Sequence, residues 1–564
     1  MWAQPYDEVP SATDVTAITG ARIVTAPGEV IESGTVVLRD GLIETVGADV
    51  EVPYDAEIIE GGDSLTVYAG FIDGLSHAGI PEADDEDHGD VENPGDPPPK
   101  RAGIQPNRHA QALMEPGHES IARLRNVGFT AAHVVPRGEM LPGTGALVTL
   151  GEALDDNEDP GALVVRPDVS LYAQLEGAPG GYPNVVYPSN KMAVLAKMRQ
   201  LYREAERRQR LERAYEREPT GRQRPPHDAV HSALFPVVSG DQPLAFRTTH
   251  PLDIFRVLDL QETLGFPLML AGLEGAHLAL DALRETDAPL FLTLALPDAP
   301  DDSVASDSLA AAIDSAKVIS PAKPGSFFKR ETRTISHEDT DAERAELLRR
   351  RAIERDRYVN AADTLRALGK RFGFSTLAAE PKKIRGNLRA MIERGLSEKD
   401  ALAALTTDAA RHLGVAASMG TVEPGKMGNL VVTAGGSYFD DDSRVRYVFV
   451  EGQPFEIEEL SSEDEVARAK PGGAWTIEAD ALGGTLVLKG APGDLRGTLH
   501  LADGETASLE NVTLDDDALS FAAEVDEYAG EVAFDLTIRG DEMEGTAELP
   551  DGKTVPVTGS RVPP

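Results

Sequence analysis

The sequence predicts an α/β protein whose largest part is an α/β barrel and whose C-terminal part is all β. Three patterns support this prediction. The apolar stretch at 67–77 ends in polar side chains, as buried strands do where they open onto the site of an α/β barrel. Residues 121–135 read as a helix that ends at Gly128, followed by a strand. Residues 470–564 alternate short apolar strands with Gly and Asp turns, which is typical of an all-β module.

Composition limits the classes of function. With 564 residues the chain exceeds one ordinary core, so two or three domains are expected. The formal net charge of −41 is spread along the chain, which predicts an acidic, halophilic surface and argues against nucleic-acid binding. The absence of cysteine excludes disulfides, thiolate metal sites and cysteine nucleophiles.

No apolar run reaches the roughly 18 residues of a membrane span, so none is expected. The first five residues have neither a charged n-region nor an apolar h-region. The chain as written is therefore expected in the cytoplasm, and in the periplasm or outside the cell if a leader was trimmed.

Short strands are predicted before the barrel. β-branched and apolar residues cluster in three runs, at 16–24, 34–39 and 42–46. Asp40-Gly41 lies between two of these runs and is a strong hairpin signal. Further strand-like runs follow at 129–135, 142–148, 242–247, 265–272, 288–294 and 371–377, and a long charged helix is predicted over 190–218.

Two segments of the chain resemble the amidohydrolase superfamily. Residues 68–77, Y-A-G-F-I-D-G-L-S-H, resemble its first barrel strand, normally written P-G-F-I-D-x-H-x-H. Residues 395–430 resemble its "GLs…AL…T…LG…GtiepGk-aDLvv" signature, with Asn429 where Asp is usual. The likeness is to imidazolonepropionase-like members, and in particular to the degenerate N-terminal half of tandem bacterial amidohydrolases.

The resemblance implies a TIM-like (β/α)8 barrel with a discontinuous small β-sandwich domain. The C-terminal module resembles a lipocalin-like barrel, for which a filled core is favoured over a pocket for an apolar ligand. The expected organisation is an N-terminal extension at 1–15, a composite β-sandwich at 16–66 plus 416–466, the barrel at 67–415 and the all-β module at 470–564.

The resemblance also implies five metal-binding positions, held here by Leu75, His77, Arg247, Gly272 and Leu377. His77 is the only surviving ligand position. Arg247 has no lone pair to offer a metal, and Leu377 stands where the family has an Asp that is both ligand and general base. We therefore expect a pseudoenzyme with no catalytic residue and no cofactor, acting as scaffold or partner of an active amidohydrolase. Its oligomeric state stays open.

The alternative is a metal-dependent hydrolase of non-peptide C–N bonds, in linear or cyclic amides, with zinc held by displaced ligands. His77, His133 and Glu274 are the candidates for those ligands. A helical metal pair at His227 and His231 and a cation site in the acidic run at 84–87 are weaker hypotheses. For these two we favour a solvated helix face and a solvated loop.

Overall fold

A computed structural model of the chain describes residues 15–82, 91–152, 160–178, 185–297 and 349–457, and in the C-terminal part 473–479, 484–489, 496–501, 506–515, 518–525, 530–539, 542–550 and 553–561. Two compact units are present, Met1–Ile457 and Glu458–Pro564. The acidic run at 84–87 lies outside the described residues. Across the described ranges, no helix is long and apolar enough to cross a membrane.

The strands of the first unit are β1 (Val15–Ala26), β2 (Glu29–Arg39), β3 (Leu42–Gly47), β4 (Glu57–Glu60), β5 (Leu65–Ala69), β6 (Phe71–Ser76), β7 (Phe129–Val134), β8 (Gly143–Thr149), β9 (Val164–Gln174), β10 (Leu244–Arg247), β11 (Leu268–Gly272), β12 (Leu290–Thr293), β13 (Gly373–Ser375), β14 (Leu430–Ala434), β15 (Arg444–Val450) and β16 (Gln453–Glu456). Its helices are α1 (Glu119–Arg125), α2 (Lys191–Arg217), α3 (Ala229–Ser232), α4 (Phe235–Ser239), α5 (Pro251–Leu264), α6 (Leu280–Glu285), α7 (Ala361–Ala367), α8 (Pro381–Glu393), α9 (Glu398–Leu405) and α10 (Thr407–His412), with further helical residues at 349–359.

One sheet combines strands from both ends of the first unit. Its order is β16-β15-β14-β5-β1-β2-β3, with β4 paired to β1. The hairpin between β2 and β3 turns at Asp40 and Gly41, whose φ angles of 49° and 78° are those of a type I′ turn. The sheet is therefore composite, because β14 to β16 lie more than 350 residues after β5 in the chain (430 against 69).

The second sheet runs β6 to β13 in sequence order. β6 pairs parallel to β7, and β9 to β13 pair parallel to one another, whereas β8 is antiparallel to both of its neighbours. Two hydrogen bonds join the first and last strands of this sheet. The Ser375 hydroxyl at the end of β13 donates to the Leu75 carbonyl in β6, and the N–H of the next residue, Thr376, donates to the Asp73 carboxylate in β6. The TIM-like α/β architecture is thus confirmed, with one strand reversed.

The prediction of a single strand over 67–77 is wrong in one respect, because this stretch forms two strands that belong to two different sheets. β5 pairs with β1 and β14 in the composite sheet, and β6 pairs with β7 in the barrel. Gly70 joins them and donates its N–H to the Asn429 carbonyl at 2.8 Å. A Cβ at Gly70 would lie 2.2 Å from the Thr130 hydroxyl oxygen, so the close passage between the sheets requires glycine here.

The C-terminal unit is a closed barrel of eight antiparallel strands. They are β17 (Gly473–Ala479), β18 (Gly484–Lys489), β19 (Arg496–Leu501), β20 (Thr506–Asp515), β21 (Ala518–Val525), β22 (Gly530–Arg539), β23 (Glu542–Glu548) and β24 (Thr554–Arg561). β17 closes the barrel by pairing with β24. Trp475 is fully buried, and Phe521 stacks on Phe534 with ring centroids 4.7 Å apart. These side chains belong to one buried apolar cluster, as expected for a filled core.

Candidate functional site

The five positions implied by the resemblance lie at one end of the barrel. His77 follows the last residue of β6, Arg247 ends β10, Gly272 ends β11 and Leu377 comes two residues after β13. β6 and β9 to β13 all run in the same direction, so their C-terminal ends meet at one mouth. We call this end, defined by those residues and Leu75, the barrel mouth.

Leu75 and Leu377 take part in packing. Leu75 is fully buried in an apolar cluster inside the barrel that also contains Tyr172, Met269 and Phe291. Leu377 is half-buried and packs against the same cluster. Two positions at which the resemblance implies a His and an Asp therefore belong to the barrel core.

His77 keeps one nitrogen available. Its Nδ1 lies 2.8 Å from the Val135 carbonyl oxygen, which can only accept, so Nδ1 carries the proton and Nε2 keeps its lone pair. Burial, with Arg137 and Arg247 nearby as cations, lowers the pKa of His77 to about 4. A neutral ring with one free lone pair can ligate a metal, but it is a single donor.

His133, a candidate displaced ligand, lies inside the barrel with both nitrogens engaged. Nδ1 donates to the Gly74 carbonyl at 3.0 Å, so Nε2 is left to accept from the Ser170 hydroxyl at 3.0 Å. The side chain is fully buried, and burial lowers its pKa to about 4. His133 is a neutral core histidine that joins β6, β7 and β9.

Asp73 lies in β6, close to the barrel mouth, and the sequence analysis did not predict a role for it. Its Oδ1 accepts from the backbone N–H groups of Leu75 at 3.2 Å and Thr376 at 3.0 Å, and its Oδ2 accepts from the Thr376 hydroxyl. Burial raises its pKa to about 7 in spite of these donors. The carboxyl group therefore fastens β6 to the end of β13, where the barrel closes. An acidic residue inside an otherwise apolar strand was the available signal.

A small polar group surrounds Arg247 at the mouth. Its guanidinium lies 3.9 Å from the Glu274 carboxylate, and a Cβ at Gly272 would lie 3.4 Å from Cγ of Arg247. Partial burial raises the pKa of Glu274, against the effect of the arginine. Tyr172 donates its hydroxyl proton to Gln174 at 3.1 Å. Gln174 ends β9, the fourth strand of the barrel sheet.

The residues present do not fit a catalytic metal. Such a site needs at least three converging ligands and an open position for water. Within the residues that the structure describes, no group of three or more His, Asp or Glu side chains could hold a metal ion. At the mouth, Arg247 adds a fixed positive charge close to His77, the candidate ligand whose Nε2 keeps its lone pair.

The His227 and His231 pair does not form a helical ligand face. Helix α3 begins at Ala229, so His227 lies before it, and Asp228 caps the helix by accepting from the His231 N–H at 3.2 Å. The His231 ring lies between carboxylates, 2.9 Å from Asp228 and 3.0 Å from Glu204. The ring is held in place by its contacts with these two carboxylates.

Comparison with known proteins supports the resemblance. The family model "Amidohydrolase family" matches residues 302–455. An amidohydrolase from Thermotoga maritima MSB8 superposes with a TM-score of 0.57 at 19% identity, over 78% of this chain and 100% of that one. The chain has the amidohydrolase fold. A prolidase complexed with N-methylphosphonate-L-proline matches with a TM-score of 0.43 at 17% identity, over 79% of this chain and 100% of that one. No curated protein sequence matches the chain.

The family match is confined to the second half of the first unit. It includes Leu377 and the signature at 395–430, but it begins after β12 and so leaves out Leu75, His77 and Arg247. The part of the barrel that matches the family model thus contains its eighth strand, β13, and the chain segment that returns to the composite sheet.

Proposed function

We propose that this amidohydrolase barrel is non-catalytic and serves as a scaffold or partner of an active amidohydrolase. The burial of Leu75 in the apolar interior is the observation on which the proposal rests. Removing this side chain to restore a ligand would disturb the packing of the barrel, because protein interiors are close-packed. The former ligand position has acquired a structural role.

The remaining mouth residues support the same conclusion. His77 offers one lone pair, and a single imidazole holds zinc too weakly for catalysis. Replacement of an Asp by Leu377 removes a ligand and a base together. What the mouth retains is a binding surface for a small anion beside Arg247, which a scaffold could use.

One observation favours the alternative, a zinc-dependent hydrolase of linear or cyclic amides. The hydrogen bond from His77 Nδ1 to a backbone carbonyl is the partner that metal-bound histidines commonly have. The other proposed ligands argue against it, since His133 has both nitrogens engaged and Glu274 faces Arg247. The non-catalytic role is therefore the better supported of the two.

An activity screen tests the proposal. The full chain, with zinc, manganese or cobalt added, is incubated with N-acyl amino acids, dipeptides, lactams and hydantoins at low and high salt. We expect no turnover above the uncatalysed rate, and no difference between the wild type and H77A. Chelator-sensitive turnover that H77A abolishes would overturn the proposal in favour of the alternative.

The partner role needs its own measurement. The chain is co-expressed with an amidohydrolase-fold protein from the same genome that keeps both His of its first barrel strand, and the mixture is sized by analytical ultracentrifugation. A stoichiometric complex is expected. Two independent species at micromolar concentration would contradict the partner role while leaving the non-catalytic assignment intact.

A further inference from the structure

Helix α2 extends beyond the barrel that it packs on. Its 27 residues span about 40 Å, whereas the four residues of the neighbouring strand β10 span about 13 Å. The buried side chains of α2 end at Gln209, so the last two turns of the helix have no buried face. This end of α2 and the following segment at 222–226 therefore form a surface of their own.

A groove of about 710 Å³ lies between these two elements. Four of its lining residues are arginines, and two more are a leucine and a tyrosine: Arg207, Arg208, Arg222, Arg224, Leu211 and Tyr215. We call it the arginine groove. Leu211 is 51% exposed, which leaves an apolar side chain in water beside the guanidinium groups.

Two of the four arginines have no partner among the described residues. Arg208 pairs with Asp228 at 3.3 Å, and Arg222 pairs with Glu218 at 3.3 Å. Arg207 and Arg224 make no hydrogen bond or ion pair within the part of the chain that the structure describes. The one carboxylate lining the groove, Glu204, contacts His231 at 3.0 Å.

This concentration of positive charge contrasts with the composition of the whole chain, which has 95 acidic and 54 basic residues. Acidic side chains outnumber basic ones in the chain, yet Arg207 and Arg224 are exposed and pair with none of the described carboxylates. Arginine and tyrosine are also enriched among the residues that contribute most to protein–protein binding.

We propose that the arginine groove binds an acidic peptide segment of a partner protein that carries an apolar residue among its carboxylates. Arg207 and Arg224 would pair with the carboxylates, and Leu211 with Tyr215 would cover the apolar side chain. A nucleic acid is disfavoured because its long polyanionic backbone would extend beyond the groove onto a chain with a net charge of −41, whereas a short peptide segment fits within the groove. A free phosphate would use the arginines but leave Leu211 exposed. This role is independent of whether the barrel mouth has lost its chemistry.

The test uses fluorescein-labelled peptides and the full chain. The probe is Asp-Glu-Asp-Leu-Phe-Glu-Asp-Glu, and the comparison peptide has Gly-Gly in place of Leu-Phe. Anisotropy is measured at 0.1 M and 1 M KCl, with circular dichroism to verify folding. We expect saturable binding of the probe that weakens at high salt, and at least tenfold weaker binding by R207E/R224E. L211S is expected to weaken the probe but leave the comparison peptide unchanged.

The matched control is R22E/R284E, which changes the net charge equally at two exposed arginines outside the groove. It should bind the probe as the wild type does. Equal losses in both double variants would show a general charge effect and overturn the proposal. So would equal affinity for the two peptides, displacement of the probe by equimolar inorganic phosphate, or no binding of the probe.

Discussion

The variant L75H distinguishes two roles for position 75: part of the packed barrel core, or a metal-ligand position that lacks only its histidine. In L75H the new imidazole would replace a side chain that is fully buried among apolar neighbours. If the barrel mouth were a metal-binding site that lacks one ligand, His77 and the new histidine would bind zinc together. If Leu75 belongs to the core, the substitution should destabilise the barrel and zinc should not restore it.

The magnitude follows from burial. Full burial of a leucine contributes about 1.5–3 kcal/mol, and leaving a buried polar group without a partner costs about 1–3 kcal/mol. We therefore expect L75H to lower the free energy of unfolding by about 3–5 kcal/mol. The control L75M keeps both volume and polarity and should cost less than about 1.5 kcal/mol.

Guanidinium denaturation followed by circular dichroism at 222 nm provides the assay. The described helices all lie in the first unit, so the signal at 222 nm reports on the barrel. Of the two tryptophans, Trp475 lies in the second unit and Trp2 lies outside the described residues, so tryptophan fluorescence is less suitable. Zinc at a hundred times the dissociation constant of a true site would stabilise the fold by about 2.7 kcal/mol. A variant as stable as L75M, with a zinc-dependent rise in its midpoint, would refute the packing interpretation.

Three further predictions concern the barrel interior. Burial raises the pKa of Asp73 from 3.8 to about 7, so the folded state holds this proton more tightly and stability should fall as pH rises from 4 to 7, by up to about 4 kcal/mol. D73N, whose amide oxygen can still accept from the Thr376 N–H, should flatten this slope in denaturation series at pH 4.5 and 8; an unchanged slope would contradict the assignment. G74A places a Cβ 1.8 Å from the Phe291 ring and should cost about 3 kcal/mol, with part of it recovered in G74A/F291L. H133A should cost about 3 kcal/mol by opening a cavity and leaving its partners unpaired, and a thermal midpoint equal to that of the wild type would show that His133 is not a core residue.

The sequence predicted the strands that are marked by local patterns. The runs that became β7, β10, β11, β12 and β13 are apolar and are flanked by Gly or Pro, so their positions could be predicted. The direction of β8 could not, because strand direction depends on pairing partners and not on local sequence. The passage from β5 to β6 at Gly70 was missed for a related reason, since one apolar run can serve two sheets.

At the site, the identity of each substituted position could be read from the sequence, but its environment could not. That Leu75 packs inside the barrel follows from the fold and not from the motif. The contacts between Asp73 and Thr376 join residues 303 apart in the chain. His133 could be named as a candidate ligand, but only the structure places Gly74 and Ser170 on its two nitrogens.

The proposal that the barrel mouth holds no catalytic metal is tested most directly by a calorimetric titration of zinc into the chelator-treated full chain, with H77A in parallel. Because no group of three metal-binding side chains is found among the described residues, the proposal predicts no saturable one-to-one binding and no difference between the wild type and H77A. One equivalent of zinc bound by the wild type and lost in H77A would contradict the account.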